Sequence, residues 1–335
     1  MKLQENEPPA TQPRCVLIAT GGTIASRLDP DTGLAMPTAS GADLLAAVPA
    51  LGALAEMDVD EAFRIPSPHI GPEQWIVLHR RVAAALDRPD VAGVVISHGT
   101  ALLEETAWFL DLTIRHEKPV IVIGAQRNAS EPDFDGPRNL YNAVRVCIDG
   151  QARGKGVLVM LNQHINAARE ATKTHSFDVE TFNSGEWGYL GSAAPEGIVF
   201  HRAPLRRLHV PLLPRPLPAV EVVSMYAGAD GALVRAAARH AQGLVIQGVG
   251  AGHVNPPVYE ALLEALAAGV AVVVTTRIPR GGARAGYGFA GSSRMLKDAG
   301  AILGSDLSAW KARILLMLAL QEKRGNAEIQ QLFDI

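Results

Sequence analysis

The chain has 335 residues, too many for one small domain and a suitable length for two domains of ordinary size. Apolar residues make up 48% of it but aromatic residues only 5%, so we expect a core filled by Ala, Val, Leu and Ile. This composition favours helices packed on the strands of a parallel α/β sheet. The formal net charge of -3 gives no general electrostatic reason to bind nucleic acid or a membrane, and neither is expected as a partner.

Targeting and metal-binding segments are not evident. Residues 1–14 are polar and proline-rich, and no apolar run approaches the roughly 18 residues that a membrane-spanning helix needs. A cytoplasmic location is therefore expected. Cys15 and Cys147 each lie in an apolar segment, which predicts buried free thiols, and no Cys/His spacing is typical of a zinc or haem site. No metal is predicted.

Short β-branched runs alternate with amphipathic stretches through the first 200 residues. This alternation is typical of βαβ units and a mostly parallel sheet. Sites in such sheets gather at the carboxyl ends of the strands, where this chain has the turns TGGT, SHGT and GAQR. Strands are predicted at residues 15–19, 93–97, 119–123 and 156–160, and helices at 73–86 and 138–148.

Residues 201–220 differ from the segments on either side. Their prolines and basic residues cannot sustain a helix and predict a linker. We therefore predict an N-terminal α/β domain at residues 1–200 that carries the site, a linker at 201–219 and a C-terminal α/β domain at 220–335. In the last, strands are predicted at 220–224, 243–246 and 271–275, and helices at 233–240, 258–268, 309–320 and 327–333.

The first motif, ATGGTIA at residues 19–25, directly follows a predicted strand. Two adjacent glycines, the second being Gly22, allow main-chain amides to approach a ligand without a side chain in the way. Thr20 and Thr23 add hydroxyl groups at the same strand end. Considered alone, the motif is weak evidence for a site, because Gly-Gly turns after strands are common.

The second motif, SHGTALLEETA at residues 97–107, places Thr100 where a strand passes into a helix. Thr100 fits a helix N-cap, and the acids that follow suit the positive end of the helix dipole. The same geometry presents main-chain N–H groups to a carbonyl oxygen that becomes anionic. Both interpretations stay open at this point.

The third motif, REATKTH at residues 169–175, contains Lys173. A lone lysine is ordinarily a solvated surface charge. In a stretch rich in hydroxyl groups, a partly buried lysine with a lowered pKa is the alternative, and such a lysine serves as a base.

Together the three motifs resemble the bacterial-type L-asparaginase family, whose fingerprints are a TGGTIA-like strand end and an HGTD-x-x-EETA segment. The resemblance covers residues 15–335. Further similar segments follow in the family's order: DGP at 135–137, NLYNAV at 139–144, TKT at 172–174, GVG at 248–250, KAR at 311–313 and IQQLF at 329–333.

The resemblance implies a flavodoxin-like N-terminal domain with a mostly parallel sheet, a smaller α/β C-terminal domain and no metal or organic cofactor. It also implies a homodimer or homotetramer in which each site, near a subunit interface, borrows residues from a neighbouring C-terminal domain.

The resemblance further implies a role for individual residues. By motif match, Thr23 is the nucleophile that forms an acyl-enzyme, and Thr100 pairs with Lys173 for proton transfer. The oxyanion would be held by main-chain N–H groups near Thr100 and Ala125, the latter in GAQR, where the family commonly has GAMR. The implied substrate-binding positions are Gly22, Ser67, Pro68, Gly99, Ala101 and Ala125.

Several of these positions depart from the family's pattern. Ala101 replaces the family's aspartate, which orients the lysine and binds the α-ammonium group of the substrate. Pro68 follows Ser67 where the family has a Ser-Gln pair, and only Leu34 lies near the expected position of a loop tyrosine. These changes remove groups that would surround an α-ammonium group.

The C-terminal domain departs in the same direction. Residues 251–253 read Ala-Gly-His where the family offers an asparagine, and no acid occurs between Thr276 and Asp298. An ammonium group bound with no acid nearby loses its hydration without gaining a charged partner. We therefore predict an amidohydrolase with a threonine nucleophile, acting on a small-molecule amide that lacks a free α-amino group. Weak L-asparaginase activity and a non-catalytic ligand-binding role are the alternatives.

Overall fold

A computed structural model describes residues 12–335. Residues 1–11, which form most of the polar, proline-rich segment 1–14, lie outside the described residues. The chain forms two compact units. The first runs to Ala107 and resumes at Ile114–Pro204, and the second comprises Trp108–Thr113 and Leu205–Ile335. Each unit has its own sheet.

The first unit alternates strands and helices in the way that its hydrophobic pattern predicts. The helices in this part of the chain are α1 (Gly41–Ala46), α2 (Pro72–Asp87), α3 (Leu103–Thr113) and α4 (Gly136–Ile148). The strands are β1 (Arg14–Ala19), β2 (Ser26–Leu28), β3 (Ala35–Pro37), β4 (Glu56–Glu61), β5 (Val91–Ser97), β6 (Val120–Ile123), β7 (Val157–Leu161), β8 (His164–Ala167), β9 (Thr172–Lys173), β10 (Phe182–Asn183), β11 (Gly191–Ala194) and β12 (Gly197–Phe200).

The main sheet of this unit has eight strands in the order β12-β11-β8-β7-β6-β5-β1-β4. Five adjacent strands of this sheet are parallel, namely β7, β6, β5, β1 and β4. The strands β8, β11 and β12 extend the sheet through antiparallel pairs. Numbered along the chain, the parallel strands lie in the order 2-1-3-4-5, which is the flavodoxin-like order. The predicted fold class is confirmed. In this arrangement the strand order reverses between β1 and β5, and ligands bind at that point.

The centre of the sheet is a continuous apolar layer. Leu17, Val95 and Ile121 lie on adjacent strands and have no exposed surface. Residues of α4 cover one face, and its Cys147 thiol lies 3.7 Å from the thiol of Cys15 on β1. Both cysteines are buried and free, as their apolar surroundings predicted.

The outer strand β4 has a different character, because acidic residues make up most of it. Arg14 pairs with Glu56 and Asp58 of this strand, and further arginines of the first unit pair with Asp58 and Asp60. The strand therefore presents a charged edge to solvent.

The second unit is a four-stranded parallel sheet in the order β13-β14-β15-β16. Its apolar core includes Leu244, Val272 and Leu262. Residues 201–219, which precede its first strand, contain neither helix nor strand. Within residues 12–335, no helix is both long and apolar enough to cross a membrane. The elements are β13 (Val220–Ser224), α5 (Ala232–Ala238), β14 (Gly243–Gly248), α6 (Pro256–Ala267), β15 (Ala271–Thr276), α7 (Ser293–Asp298), β16 (Ile302–Leu303), α8 (Ala309–Gln321) and α9 (Asn326–Phe333).

Candidate active site

The first two motifs occupy the point where the strand order reverses, because one follows β1 and the other follows β5. Thr20 joins the two strand ends. Its amide donates to the carbonyl oxygen of Ser97 at 3.1 Å, and its hydroxyl donates to the same oxygen at 2.8 Å. The hydroxyl of Thr20 is therefore buried and committed to the fold.

Glycines hold the two turns against each other. A Cβ atom added to Gly22 would lie 2.2 Å from Cα and 2.3 Å from N of Gly99, closer than real Cβ contacts. Gly22 also has a φ of 81°, in the left-handed region that favours glycine. On its other side Gly99 is backed by Ser67, whose Oγ would lie 2.6 Å from a Cβ atom at position 99. Gly22, Ser67 and Gly99 are thus brought together.

Thr23 follows Gly22 and begins a short 3-10 turn, Thr23–Ala25. Ser26 closes this turn by donating its hydroxyl to the carbonyl oxygen of Gly22 at 2.9 Å. The side chain of Thr23 is half-buried, and its hydroxyl has no hydrogen-bond partner within residues 12–335. Of the two threonines in the motif, Thr23 is thus the one whose hydroxyl is available to a ligand.

Thr100 follows Gly99 and is nearly buried, with 5% of its surface exposed. The alternative that it caps a helix is wrong, because α3 begins three residues later, at Leu103. The hydroxyl of Thr100 instead donates to Oε1 of Gln126 at 2.9 Å and accepts from Nζ of Lys173 at 2.8 Å. The structure thus brings Thr100 and Lys173 into direct contact.

Lys173 lies on the two-residue strand β9, which pairs with β10, and its side chain is half-buried. Desolvation lowers its pKa, and the carboxylate of Glu104 opposes that shift. Glu104 accepts hydrogen bonds from the hydroxyl of Thr172 at 2.8 Å and from the amide of Lys173 at 3.3 Å. The acid beside the lysine therefore holds its strand as well as balancing its charge.

The segment after β6 carries a residue whose importance the sequence did not indicate. Oε1 of Gln126 accepts from Lys173 at 3.2 Å as well as from Thr100. The main-chain amides of Gln126 and Arg127 donate to Asp135, at distances from 2.9 to 3.2 Å. The neighbouring amides of Thr100 and Ala125 donate to no acceptor within residues 12–335, so both are available to a ligand.

A buried histidine lies directly beneath the second turn. Nδ1 of His98 is 2.7 Å from the carbonyl oxygen of Gly99, and Nε2 is 3.0 Å from the hydroxyl of Thr106, which accepts from the indole N–H of Trp75 at 3.0 Å. Burial lowers the pKa of His98 to about 4, so the ring is neutral near pH 7. The neutral tautomer with a proton on Nδ1 satisfies every one of these contacts.

The remaining predicted pocket positions differ in exposure. Ala125 is fully buried, whereas Pro68, Ala101 and Leu34 are exposed, the last in the β2–β3 hairpin. Ala101 therefore borders open space beside Thr100 and contributes no charge there. No group of three or more His, Cys, Asp or Glu residues within the described part of the chain is placed to hold a metal ion.

Comparison with known proteins assigns the chain to a family. Residues 14–206 match the family model for the asparaginase N-terminal domain, and residues 219–333 match the glutaminase/asparaginase C-terminal domain. An L-asparaginase of Bacillus licheniformis is 38% identical over 308 residues, which covers 92% of this chain and 95% of that protein. L-asparaginase 2 of Escherichia coli K12 is 35% identical over 96% of this chain and 93% of its own length.

A solved structure agrees with these matches. It is that of a probable cytoplasmic L-asparaginase from Campylobacter jejuni, with a TM-score of 0.88, 33% sequence identity and coverage of 96% of this chain and 99% of that one. A probable periplasmic L-asparaginase of Haemophilus influenzae is 35% identical over 97% of this chain and 93% of its own length. The fold and these matches thus define a two-unit α/β hydrolase of amides. The chain belongs to the asparaginase family.

Proposed function

We propose that the protein hydrolyses the side-chain amide of a small carboxylic acid through an ester on Thr23. One observation carries this proposal. The hydroxyl of Thr23, which follows Gly22, has no hydrogen-bond partner within the described residues, and Gly22 touches Gly99. Thr100 follows Gly99, and its hydroxyl is joined to Nζ of Lys173 at 2.8 Å. A nucleophilic hydroxyl and a proton-transfer pair are the parts that such a reaction requires.

In the first half of the proposed reaction, Oγ of Thr23 bonds to the amide carbon, the C–N bond breaks and ammonia leaves. In the second half, the oxygen of a water molecule bonds to the acyl carbon, the bond between that carbon and Oγ of Thr23 breaks, and Thr23 recovers its hydroxyl with a proton from the water. Lys173 in its neutral form takes up the proton of the attacking hydroxyl through Thr100 and returns it to the leaving group. The unused amides of Thr100 and Ala125 stabilise the negative oxygen that forms at each step.

The substrate of this proposed reaction is an amide without a free α-amino group. Ala101, which is exposed beside Thr100, provides no carboxylate for an ammonium group, and Pro68 provides no polar side chain next to the buried Ser67. The carboxylate of Glu104 is already bonded to Thr172 and to the amide of Lys173. An ammonium ion in this pocket would be desolvated without a partner.

L-asparaginase activity is a second candidate, and it is favoured by the names of the relatives that are 35–38% identical. L-asparagine and succinamate differ only by the α-amino group, so a comparison of these two substrates separates the candidates. A higher kcat/KM for succinamate supports the proposed preference. A higher value for asparagine contradicts that preference and supports the second candidate.

Trapping the acyl-enzyme tests the proposed chemistry directly. Protein is mixed with succinamate and quenched in acid, and the peptide that contains Thr23 is then analysed by mass spectrometry. The expected adduct lies on Thr23 and is absent from Thr23→Ala, whereas Thr23→Ser retains a nucleophile and Thr38→Ala, an exposed threonine, behaves as wild type. Reversible binding of amides without an adduct or turnover would instead support the ligand-binding alternative.

Assembly and location are further parts of the proposal. We propose a homodimer or homotetramer, supported by the glycine-rich segments 248–252 and 281–291, which allow a close approach between chains. Sedimentation as a monomer at micromolar concentration would contradict it. A cytoplasmic location stays a prediction, because relatives are named as cytoplasmic in one case and periplasmic in another.

A further inference from the structure

The side-chain amide of Gln126 is fully hydrogen-bonded beside the lysine. Its oxygen accepts two hydrogen bonds, from Lys173 at 3.2 Å and Thr100 at 2.9 Å. Its nitrogen donates two, to the carbonyl oxygens of Asp178 at 3.1 Å and Ser176 at 3.4 Å. Two acceptor positions and two donor positions are all that a glutamine side chain possesses.

These partners also fix which way the amide faces. If oxygen and nitrogen exchanged places, the amide N–H groups would face the ammonium group of Lys173, and the oxygen would face the two carbonyl oxygens of Ser176 and Asp178. The contacts with Lys173, Ser176 and Asp178 would then join donor to donor or acceptor to acceptor, and the hydroxyl of Thr100, which can accept as well as donate, could not offset them. The oxygen of Gln126 therefore points at the Lys173–Thr100 pair.

The main chain that carries Gln126 is held as firmly as its side chain. The carboxylate of Asp135 accepts from the amides of Gln126 and Arg127, and Asn139 donates to both Asp135 and the carbonyl oxygen of Gly124. Arg127 binds the carbonyl oxygen of Phe177 at 2.6 Å, between the two acceptors of Gln126. Both ends of the side chain are thus anchored.

We propose that Gln126 is the positioning residue of the Lys173–Thr100 pair, with its amide oxygen serving as the shared, uncharged acceptor that aligns the two groups for proton transfer. This inference rests on the proposed function. While Lys173 carries a proton, the hydroxyl hydrogen of Thr100 points to Gln126. When Lys173 is neutral, its lone pair becomes a second acceptor for that hydrogen, so the hydroxyl turns through a short arc between two fixed partners.

The absence of charge at this acceptor has a chemical consequence. A hydrogen bond to the ammonium form favours that form, but a neutral oxygen favours it less than a carboxylate does. With Ala101 beside Thr100, the opposing charge at Lys173 comes from Glu104, whose effect on the pKa is smaller than that of burial. Gln126 therefore aligns the lysine and leaves it easier to deprotonate than a carboxylate at the same position would.

Two substitutions of Gln126 separate alignment from charge. Gln126→Met is similar in size and removes the acceptor, so kcat should fall by about tenfold to a hundredfold, as expected for a misplaced catalytic pair. Because the ammonium form loses a hydrogen bond, the rise of kcat with pH should move to lower pH. Gln126→Glu places a carboxylate against Lys173, so the same rise should move to higher pH. Gln151→Met, at an exposed glutamine, serves as the control.

A second readout does not depend on turnover. Competitive acylation of amines across the pH range of lysine titration, followed by mass spectrometry of the peptide that contains Lys173, reports the titration of that residue alone. Lys173 should titrate lowest in Gln126→Met, higher in wild type and highest in Gln126→Glu. An unchanged Lys173 titration in both variants would overturn the inference.

The two proposals fail in different ways. A wild-type protein without turnover and without a Thr23 adduct contradicts the proposed function, yet the order of the Lys173 titrations still decides the role of Gln126. A wild-type protein that turns over amides, together with variants whose pH profile and Lys173 titration match the wild type, contradicts the role of Gln126 alone. A loss of kcat in Gln126→Met without opposite pH shifts in the two variants would indicate a merely structural residue and also overturns the inference.

Discussion

Gly22 and Gly99 touch through their main chains, so closely that a methyl group on the first would lie 2.2 Å from Cα of the second. Each glycine is followed by a threonine of the candidate site, Thr23 in one turn and Thr100 in the other. The spacing between the two hydroxyl groups is therefore set by main-chain contact, which is less adaptable than contact between side chains.

Gly22→Ala should consequently separate the two turns. The added methyl meets main-chain atoms that cannot rotate away, and a φ of 81° is strained for alanine. We expect a loss of about 1–3 kcal/mol in the free energy of unfolding and a greater relative loss of kcat. Gly52→Ala, where a Cβ atom meets nothing within 4 Å, is the matched control. Normal turnover in Gly22→Ala would mean that this contact does not set the geometry of the site.

Ala101→Asp should shift selectivity towards L-asparagine. The carboxylate would stand beside Thr100 and would pair with the α-ammonium group of a bound substrate, and a charge that a bound substrate buries without a partner costs about 3–5 kcal/mol. That corresponds to at least about a hundredfold in specificity, of which the variant should recover a part because Pro68 is unchanged. The measurement is the ratio of kcat/KM for L-asparagine to that for succinamate. An unchanged ratio would mean that position 101 does not face the substrate.

The free energy of unfolding should depend on pH because His98 is neutral in the folded protein and binds a proton on unfolding. The folded protein keeps this ring neutral down to about pH 4, whereas the unfolded chain binds a proton near the ordinary pKa of 6.5. The contribution of His98 to the free energy of unfolding is therefore fully present above about pH 6.5. It falls by about 3 kcal/mol as the pH is lowered towards 4.

Chemical denaturation of wild type and His98→Asn at several pH values checks this expectation. The variant is less stable throughout, because it loses the contact with Thr106, but its stability should depend less on pH. His201→Gln, at an exposed histidine, is the control. Parallel curves for wild type and His98→Asn would show that His98 does not titrate on unfolding.

Lys173→Arg should abolish most of the turnover at every pH. Arginine keeps the positive charge but does not release its proton near neutral pH, so it cannot act as the base. The expected loss of kcat is about 10²–10⁴-fold, the usual contribution of general acid–base catalysis. In wild type, kcat should rise with pH through the pKa of Lys173, which burial places below the ordinary lysine value. Lys297→Arg, at an exposed lysine, is the control, and full activity of Lys173→Arg would rule out a neutral lysine as the base.

Four of the five parallel strands were predictable because they carry their own signal, whereas β4, which is mostly acidic, was not predicted. Strands such as β5 and β7 are buried on both faces, so their β-branched runs stand out from the amphipathic helices between them. The antiparallel strands β8, β11 and β12 were not predicted. They are four residues long, and β11 consists of Gly, Ser and Ala, so their pairing depends on the existing edge of the sheet rather than on their own composition.

Part of the site was likewise predictable from the sequence, and part of it was not. Thr100 and Lys173 are 73 residues apart in sequence, and their pairing followed from the resemblance to a family rather than from any periodicity. Gln126 was visible as a departure from the GAMR pattern, but a side-chain amide has no preferred partner until the chain has folded. The contact of its oxygen with Lys173 depends on the loop at residues 176–178, which binds its nitrogen.

The acidic composition of β4 bears on how this protein behaves at high concentration. An outer strand offers unpaired main-chain groups to any other extended chain, which is how open sheets start to aggregate. Here an approaching strand meets Glu56, Asp58 and Asp60 with their arginine partners, and it would have to remove water from all of them. Such exposed pairs add little to the stability of a single molecule. Their benefit lies in colloidal behaviour, since they keep a wide, apolar sheet from recruiting a neighbour's strand along this side.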